Sequence, residues 1–89
     1  MFGLTSQMRR AAVSAPSNIA EGYGKTSKQF VNHIQHSIGS LFELRTQIEI
    51  ARRQDLITVE MEGELKRMAV QICRKLESLK RSILAKSDS

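Results

Sequence analysis

The apolar residues in the last third of the chain recur with a rhythm that suits a helix. Seven of them are separated by four, three, four, four, three and four positions: Met61, Leu65, Met68, Ile72, Leu76, Leu79 and Ile83. Because an α-helix has about 3.6 residues per turn, this spacing places them all along one stripe. It is close to a heptad seam, which is typical of helices that pack at small crossing angles. We therefore predict a helix over about residues 58–85 that packs in a bundle.

Two earlier segments show the same periodicity, over about residues 5–21 and about residues 27–53. Thr26 and Gln29 have the spacing of a capping box at the start of the second segment. The link to the third segment is short, so the second and third helices should be antiparallel neighbours. The fold class predicted for residues 1–89 is therefore all-α. It is a single domain, an antiparallel up-down helical bundle of three long helices.

Pro16 lies inside the first helical segment, where proline removes a backbone donor and crowds the preceding turn. Either the helix kinks and continues, or it breaks into two pieces. The small residues on both sides of Pro16 favour continuation, since they let a neighbouring helix come close. Gly22 and Gly24 are expected to end this helix. Gly39, in the middle of the second helix, is expected to pack closely against a neighbour.

The composition narrows the class of protein. A chain of 89 residues is one domain at most, with a small core that favours association with other subunits. Cys73 is the single cysteine, so there is no disulfide framework, and a reducing cytoplasm is the expected location. The sequence contains no apolar run long enough to span a bilayer and no signal-peptide pattern.

Basic residues dominate the C-terminal half of the third segment. The chain has 14 basic and 9 acidic residues, a formal charge of +5, and residues 66–86 contain seven bases and only one acid. Arg67, Arg74 and Arg81 are spaced by seven and should lie along one helix face. Such a row can bind the phosphates of RNA or DNA, or it can be a solvated face. The candidate nucleic-acid-binding residues are Arg9, Arg10, Arg45, Lys66, Arg67, Arg74, Lys75, Lys80 and Arg81.

The sequence offers little for other chemistry. No aromatic residues alternate with these bases, so binding should be weakly sequence-specific. His33 and His36 are one helical turn apart but have no further metal ligands at a recognisable spacing. Cys73 is expected to be a small core residue rather than a nucleophile. No catalytic constellation is evident, so we expect no enzyme activity, no cofactor and no metal.

Two stretches resemble a known family. "GLTSQMRRAAVSAPSNIAEGYG" and "SIGSLFELRTQIEIA" are similar to segments of the four-helix-bundle proteins of bacterial 23S rRNA intervening sequences, the S23-like ribosomal protein family. That family is similar to the accessory variability determinant protein of diversity-generating retroelements. The resemblance implies a homo-oligomer, with a pentamer as the family's usual state. It also implies RNA or DNA, and a reverse transcriptase or another protein, as partners.

The family has one more helix before the "FGLTSQ" segment. The resemblance therefore implies that this chain lacks the first helix and that its three helices correspond to helices two to four. An apolar groove left open in this way favours association. The function expected on these grounds is that of a non-catalytic, oligomeric accessory protein that binds the nucleic-acid backbone through basic helix faces. The alternative is a protein–protein interaction scaffold with no nucleic-acid role.

Overall fold

The computed structural model describes residues 2–87 and contains three helices: α1 (Phe2–Gly22), α2 (Ser27–Arg53) and α3 (Val59–Ser87). The described part of the chain has no strand, and the prediction of an all-α bundle of three helices is confirmed. α1 begins somewhat earlier than predicted, while α2 has the predicted bounds. Over the described residues, none of these helices combines the length and the apolar character needed to cross a membrane.

α2 is the central helix of the bundle. α1 and α3 both pack on it, whereas the described backbones of α1 and α3 do not come close to each other. α1 runs antiparallel to α2, since Gly22 at the end of α1 lies beside His33, whereas the earlier Ala15 bonds to the later Ser37. α3 also runs antiparallel to α2, since Lys80 bonds to Gln35 near the start of α2. The bundle is therefore open between α1 and α3.

The core is formed mainly by α2, because this helix has a neighbour on two sides. α1 contributes small residues to the core, and Ala69 is the buried hydrophobic residue from α3. The buried apolar residues of α2 are Ile34, Ile38, Leu41, Ile48 and Ala51. Small residues on the two outer helices allow their backbones to approach α2 closely.

The apolar stripe of α3 is only partly buried. Met68 is 55% exposed and Ile72 is 44% exposed, although both belong to the predicted seam. α3 contacts α2 through residues such as Glu62 and Ala69, about a quarter turn around the helix from the stripe. Because α3 has a single neighbouring helix among the described residues, much of its stripe faces the opening between α1 and α3.

The proline and the capping residues behave as predicted, but one glycine does not. α1 continues through Pro16 and ends at Gly22, and Gly24 follows with a φ of 86°. The capping box between Thr26 and Gln29 is present. The expectation for Gly39 is wrong, since this residue is exposed and a Cβ built on it would have no atom within 4 Å.

Candidate nucleic-acid interface

A cleft of about 450 Å³ lies along the contact between α2 and α3, on the side away from the opening between α1 and α3. It brings together arginines from two helices, with aliphatic and aromatic groups between them. We call it the basic cleft. It is lined by Ile38, Phe42, Arg45, Val70, Cys73, Arg74, Glu77 and Arg81.

The charge of the basic cleft is positive because its arginines lack acidic partners. Arg74 and Arg81 are exposed, Arg45 is half-buried, and none of the three forms an ion pair with a described residue. Glu77, the acid in the lining, pairs with Lys80 at 3.0 Å. The carboxylate is therefore neutralised from outside the cleft, and the three guanidinium groups dominate its potential.

Phe42 supplies the cleft with an aromatic ring that sequence reasoning did not assign to it. Its side chain is 56% exposed, and the guanidinium carbon of Arg45 lies 5.7 Å from the ring centroid. This distance is within the range of a cation–π contact. The ring was missed because it comes from α2, whereas the basic row lies on α3. Phe42 and Arg45 are one helical turn apart in the sequence, which indicates that they share a face of α2. The sequence does not show that this face lies beside the basic row of α3, because that depends on the register between the two helices.

The other candidate bases fall into separate groups. Lys66 forms ion pairs with Glu62 at 3.3 Å and Glu49 at 3.8 Å, so it helps to hold α3 on α2. Lys80 bonds to Gln35 and Glu77 and has a similar role.

Four more candidates lie outside the lining of the basic cleft. Arg67 and Lys75 are exposed positions of α3. Arg67 lies two helical turns before Arg74 on the same face and can extend the positive surface of the cleft, whereas Lys75 is about 100° around the helix from Arg74. Arg9 lines the opening between α1 and α3, and Arg10 is an exposed residue of α1. Of the nine candidates, the structure therefore brings three together in one cleft.

Cys73 lies in the basic cleft and is half-exposed. Its partial burial raises the pKa of the thiol, the charge of Arg45 lowers it, and the charge of Glu77 raises it, with a net upward shift. The thiol is therefore predominantly protonated at neutral pH, which does not suit a nucleophile.

His33 of α2 takes part in a polar seam between α1 and α2. Within residues 2–87, no three His, Cys, Asp or Glu side chains are placed to hold a metal ion. His33 Nδ1 lies 3.4 Å from Asn18 Oδ1 and its Nε2 lies 3.2 Å from Lys25 Nζ. Because the ammonium of Lys25 can only donate, His33 Nε2 accepts and Nδ1–H donates to Asn18. Asn18 in turn donates to the carbonyl of Ser14 at 2.9 Å.

The opening between α1 and α3 forms a second surface, which we call the apolar groove. It consists of two adjoining cavities of about 440 and 390 Å³ that share Ala12 and Leu44. Apart from Arg9, every residue of its lining is apolar. The remaining lining residues are Met8, Ala15, Pro16, Ile19, Leu41, Ile48, Ala51, Leu56, Ile57, Leu65, Ile72 and Leu76.

Comparison with known proteins identifies one family. The model of a family described as 23S rRNA-intervening sequence protein matches residues 1–78. This match covers most of the chain, including the two stretches that carry the resemblance. No curated protein and no solved structure matches the chain.

Proposed function

Because the chain belongs to the 23S rRNA-intervening sequence protein family, we propose that it is a non-catalytic, oligomeric helical-bundle protein that binds RNA or DNA. The observation that carries the proposal is the convergence of Arg45, Arg74 and Arg81 on one cleft without acidic partners among the described residues. Unpaired guanidinium groups bind phosphate and carboxylate groups through paired hydrogen bonds, so this arrangement suits an anionic ligand.

The electrostatics favour a polyanion over a single acidic group. Arg74 and Arg81 are two helical turns apart, which separates their backbones by about 10 Å along the axis. Arg67 extends the row by a further two turns, and all three side chains are exposed. A nucleic-acid backbone carries charge continuously along its length, so several of its phosphates can meet such a row together.

A non-catalytic role is supported by the surroundings of the Ser14 hydroxyl and the Cys73 thiol. The Ser14 hydroxyl is bonded to Ser40 Oγ at 2.8 Å and to Asn18 Nδ2 at 3.1 Å, and neither partner is a base. The Cys73 thiol has a raised pKa and is not activated. Binding alone is therefore the chemistry that these residues support.

Self-association through the apolar groove is the second part of the proposal. The groove and the exposed stripe of α3 present contiguous apolar side chains to water, which small soluble domains seldom do. A second copy of this chain offers the same kind of apolar helix face, with residues such as Ile72 and Leu79, and can cover the groove. Copies assembled in this way would leave the basic cleft outward, since it lies on the other side of the α2–α3 contact.

Binding of labelled structured RNA and duplex DNA across a salt series tests the nucleic-acid role. We expect measurable binding at physiological salt that weakens steeply as salt rises. Changing Arg67, Arg74 and Arg81 together to Glu should abolish binding while the oligomer stays intact. A wild-type protein that binds neither ligand at low salt would refute this role. The basic surface would then be assigned to solvation or to an acidic protein partner.

A matched pair of single variants controls for net charge. Arg74→Glu and Lys28→Glu both change the charge by two units at exposed positions, but Lys28 lies outside the basic cleft, at the start of α2. We plot the logarithm of affinity against the logarithm of salt concentration, where each phosphate contact contributes about one to the magnitude of the slope. We expect Arg74→Glu to reduce this magnitude by about one. Lys28→Glu should leave this slope unchanged. Equal effects of the two variants would contradict a localised site.

Mass measurement in solution tests self-association. We expect wild-type protein to be larger than a monomer and Ile72→Glu, in the apolar groove, to dissociate it. Val13→Glu is the control, because Val13 is exposed but does not line the groove. A monomeric wild-type protein would overturn this part of the proposal. An oligomer that tolerates Ile72→Glu would overturn the assignment to the groove.

A further inference from the structure

The basic cleft contains a feature that phosphate binding alone does not require. Phe42 exposes more than half of its side chain in the cleft. Its contact with Arg45 leaves this apolar area in water, and phosphate binding by the arginines would not cover it. Ile38 of α2 and Val70 of α3 lie in the same lining. The cleft therefore combines a flat apolar surface with groups that bind anions.

Arg45 orders the ring for a contact on this surface. Its guanidinium carbon lies 5.7 Å from the ring centroid, one helical turn further along α2. Arg45 is itself half-buried, and its contact with the ring restricts the motion of the exposed Phe42 side chain. A ring held in this way loses less conformational entropy when a second flat group stacks on it.

A nucleotide matches this combination, because it joins a flat base to an anionic phosphate. A base can stack on Phe42 while the phosphates on either side meet Arg74 and Arg81. The carboxylates of an acidic peptide would neutralise the arginines but would supply no flat group to stack on the ring. In a duplex both faces of each base are covered by its neighbours, and exposing one costs unstacking energy.

We propose that the basic cleft binds single-stranded nucleic acid, with an unpaired base stacked on Phe42 and the adjacent phosphates on Arg74 and Arg81. This inference rests on the proposed nucleic-acid binding and specifies the class of ligand. It predicts that unpaired strands and loops bind more tightly than a duplex of the same sequence. Stacking accepts any base, so the preference is for strandedness and not for sequence.

The test compares the affinity of a short labelled RNA strand with that of its duplex, using wild-type protein and two variants. Phe42→Leu keeps an apolar side chain but removes the aromatic face. Tyr23→Leu is the matched control, since Tyr23 is 81% exposed and lies in the turn after α1, away from the cleft. Helical content and oligomeric mass are measured for each variant.

We expect Phe42→Leu to weaken single-strand binding at least about fivefold and to leave duplex binding within twofold. Tyr23→Leu should have no effect on either. A strand with abasic sites at every position should bind wild-type protein and Phe42→Leu equally, because it offers phosphates without bases. Phe42→Trp should retain or increase single-strand affinity.

The outcomes separate this inference from the proposed function. Salt-sensitive binding that is equal for single strand and duplex, and is unchanged in Phe42→Leu, would overturn the stacking site but leave phosphate binding intact. Absence of binding to every nucleic acid at low salt would overturn both. Equal binding of a polyglutamate chain and the RNA strand, in wild type and in Phe42→Leu, would also overturn the inference and would favour an acidic protein as partner.

Discussion

The hydroxyl of Ser37 on α2 donates a 2.8 Å hydrogen bond to the carbonyl oxygen of Ala15 on α1, one residue before the proline of that helix. Ser37 is 0% exposed. The two backbones therefore approach closely at this point, and α2 supports α1 at the turn that Pro16 weakens. The same hydroxyl lies 3.1 Å from the carbonyl of His33 in its own helix.

Ser37→Ala should lower the free energy of unfolding by about 1 kcal/mol, because it removes a buried hydrogen bond but leaves little space. Ser37→Val should cost more, about 1–3 kcal/mol, since no room exists for a second γ-group. Urea unfolding followed by circular dichroism measures both. Ser82→Ala, at an exposed position of α3, is the control and should stay near wild type. If Ser37→Val left the free energy of unfolding unchanged, the close approach of α1 and α2 would be contradicted.

Two glycines should respond to alanine in opposite directions. Gly39→Ala should raise stability by about 0.5–1 kcal/mol, because alanine favours the helix and a Cβ there meets no atom within 4 Å. Gly22→Ala should lower it, because the new Cβ would lie 2.9 Å from His33 Cβ. Thermal unfolding of the two variants side by side tests this. Destabilisation by Gly39→Ala would show that this face of α2 is covered.

Glu62 should contribute more to stability than its neighbour on α3, Glu64. Its carboxylate is 14% exposed and bridges Arg52 and Lys66, each at 3.3 Å, so it ties the start of α3 to the end of α2. We expect Glu62→Gln to cost about 1 kcal/mol in low salt and less in high salt. Glu64→Gln makes the same charge change at an exposed position and should have little effect. Equal losses in urea titrations would contradict the role of the bridge.

Cys73 should react slowly with alkylating reagents at neutral pH. Burial raises the pKa of its thiol, so the thiolate is less populated than in a free cysteine, and the rate should rise at higher pH than for glutathione. Arg45→Gln removes the charge that lowers this pKa and should slow the reaction further. Iodoacetamide labelling followed by mass spectrometry measures the rates. Protein unfolded in urea is the control and should behave as a free thiol.

The sign of this shift also gives a direction for stability. A thiol whose pKa is raised in the folded state contributes stability that is present below the pKa of the unfolded state. That contribution is lost as pH rises through the folded value. Alkaline destabilisation of wild type should therefore exceed that of Cys73→Ser, which has no titrating thiol. The difference in stability between the two proteins should become constant as pH falls to neutrality.

Prediction from sequence succeeded where the determinants are local. The helical rhythm, the capping box of Thr26 and Gln29 and the stop at Gly22 depend on residues within one or two turns of each other. Continuation of α1 through Pro16 was the favoured alternative and is what the structure has. The family was also predicted correctly from the sequence, because two contiguous stretches of the chain carry the resemblance.

The expectations that failed concern positions defined by neighbouring helices. Gly39 was expected to be packed, but α1 and α3 contact other faces of α2 and leave it exposed. The stripe of α3 was expected to pack as a seam, yet Met68 stays exposed because α3 has one neighbour within the described residues. Periodicity defines a face of a helix but not what covers it.

The sequence by itself determined three helices, both ends of α2 and the positive charge of α3, since propensity, capping and charge act over short distances along the chain. The tertiary structure decided which of the nine candidate bases converge. It placed Phe42 and Arg45 of α2 beside Arg74 and Arg81 of α3, and it engaged Lys66 and Lys80 in contacts between helices. These relationships depend on the rotation and register of α3 against α2. Burial and ion pairs between residues far apart in the chain set both, and no local pattern encodes them.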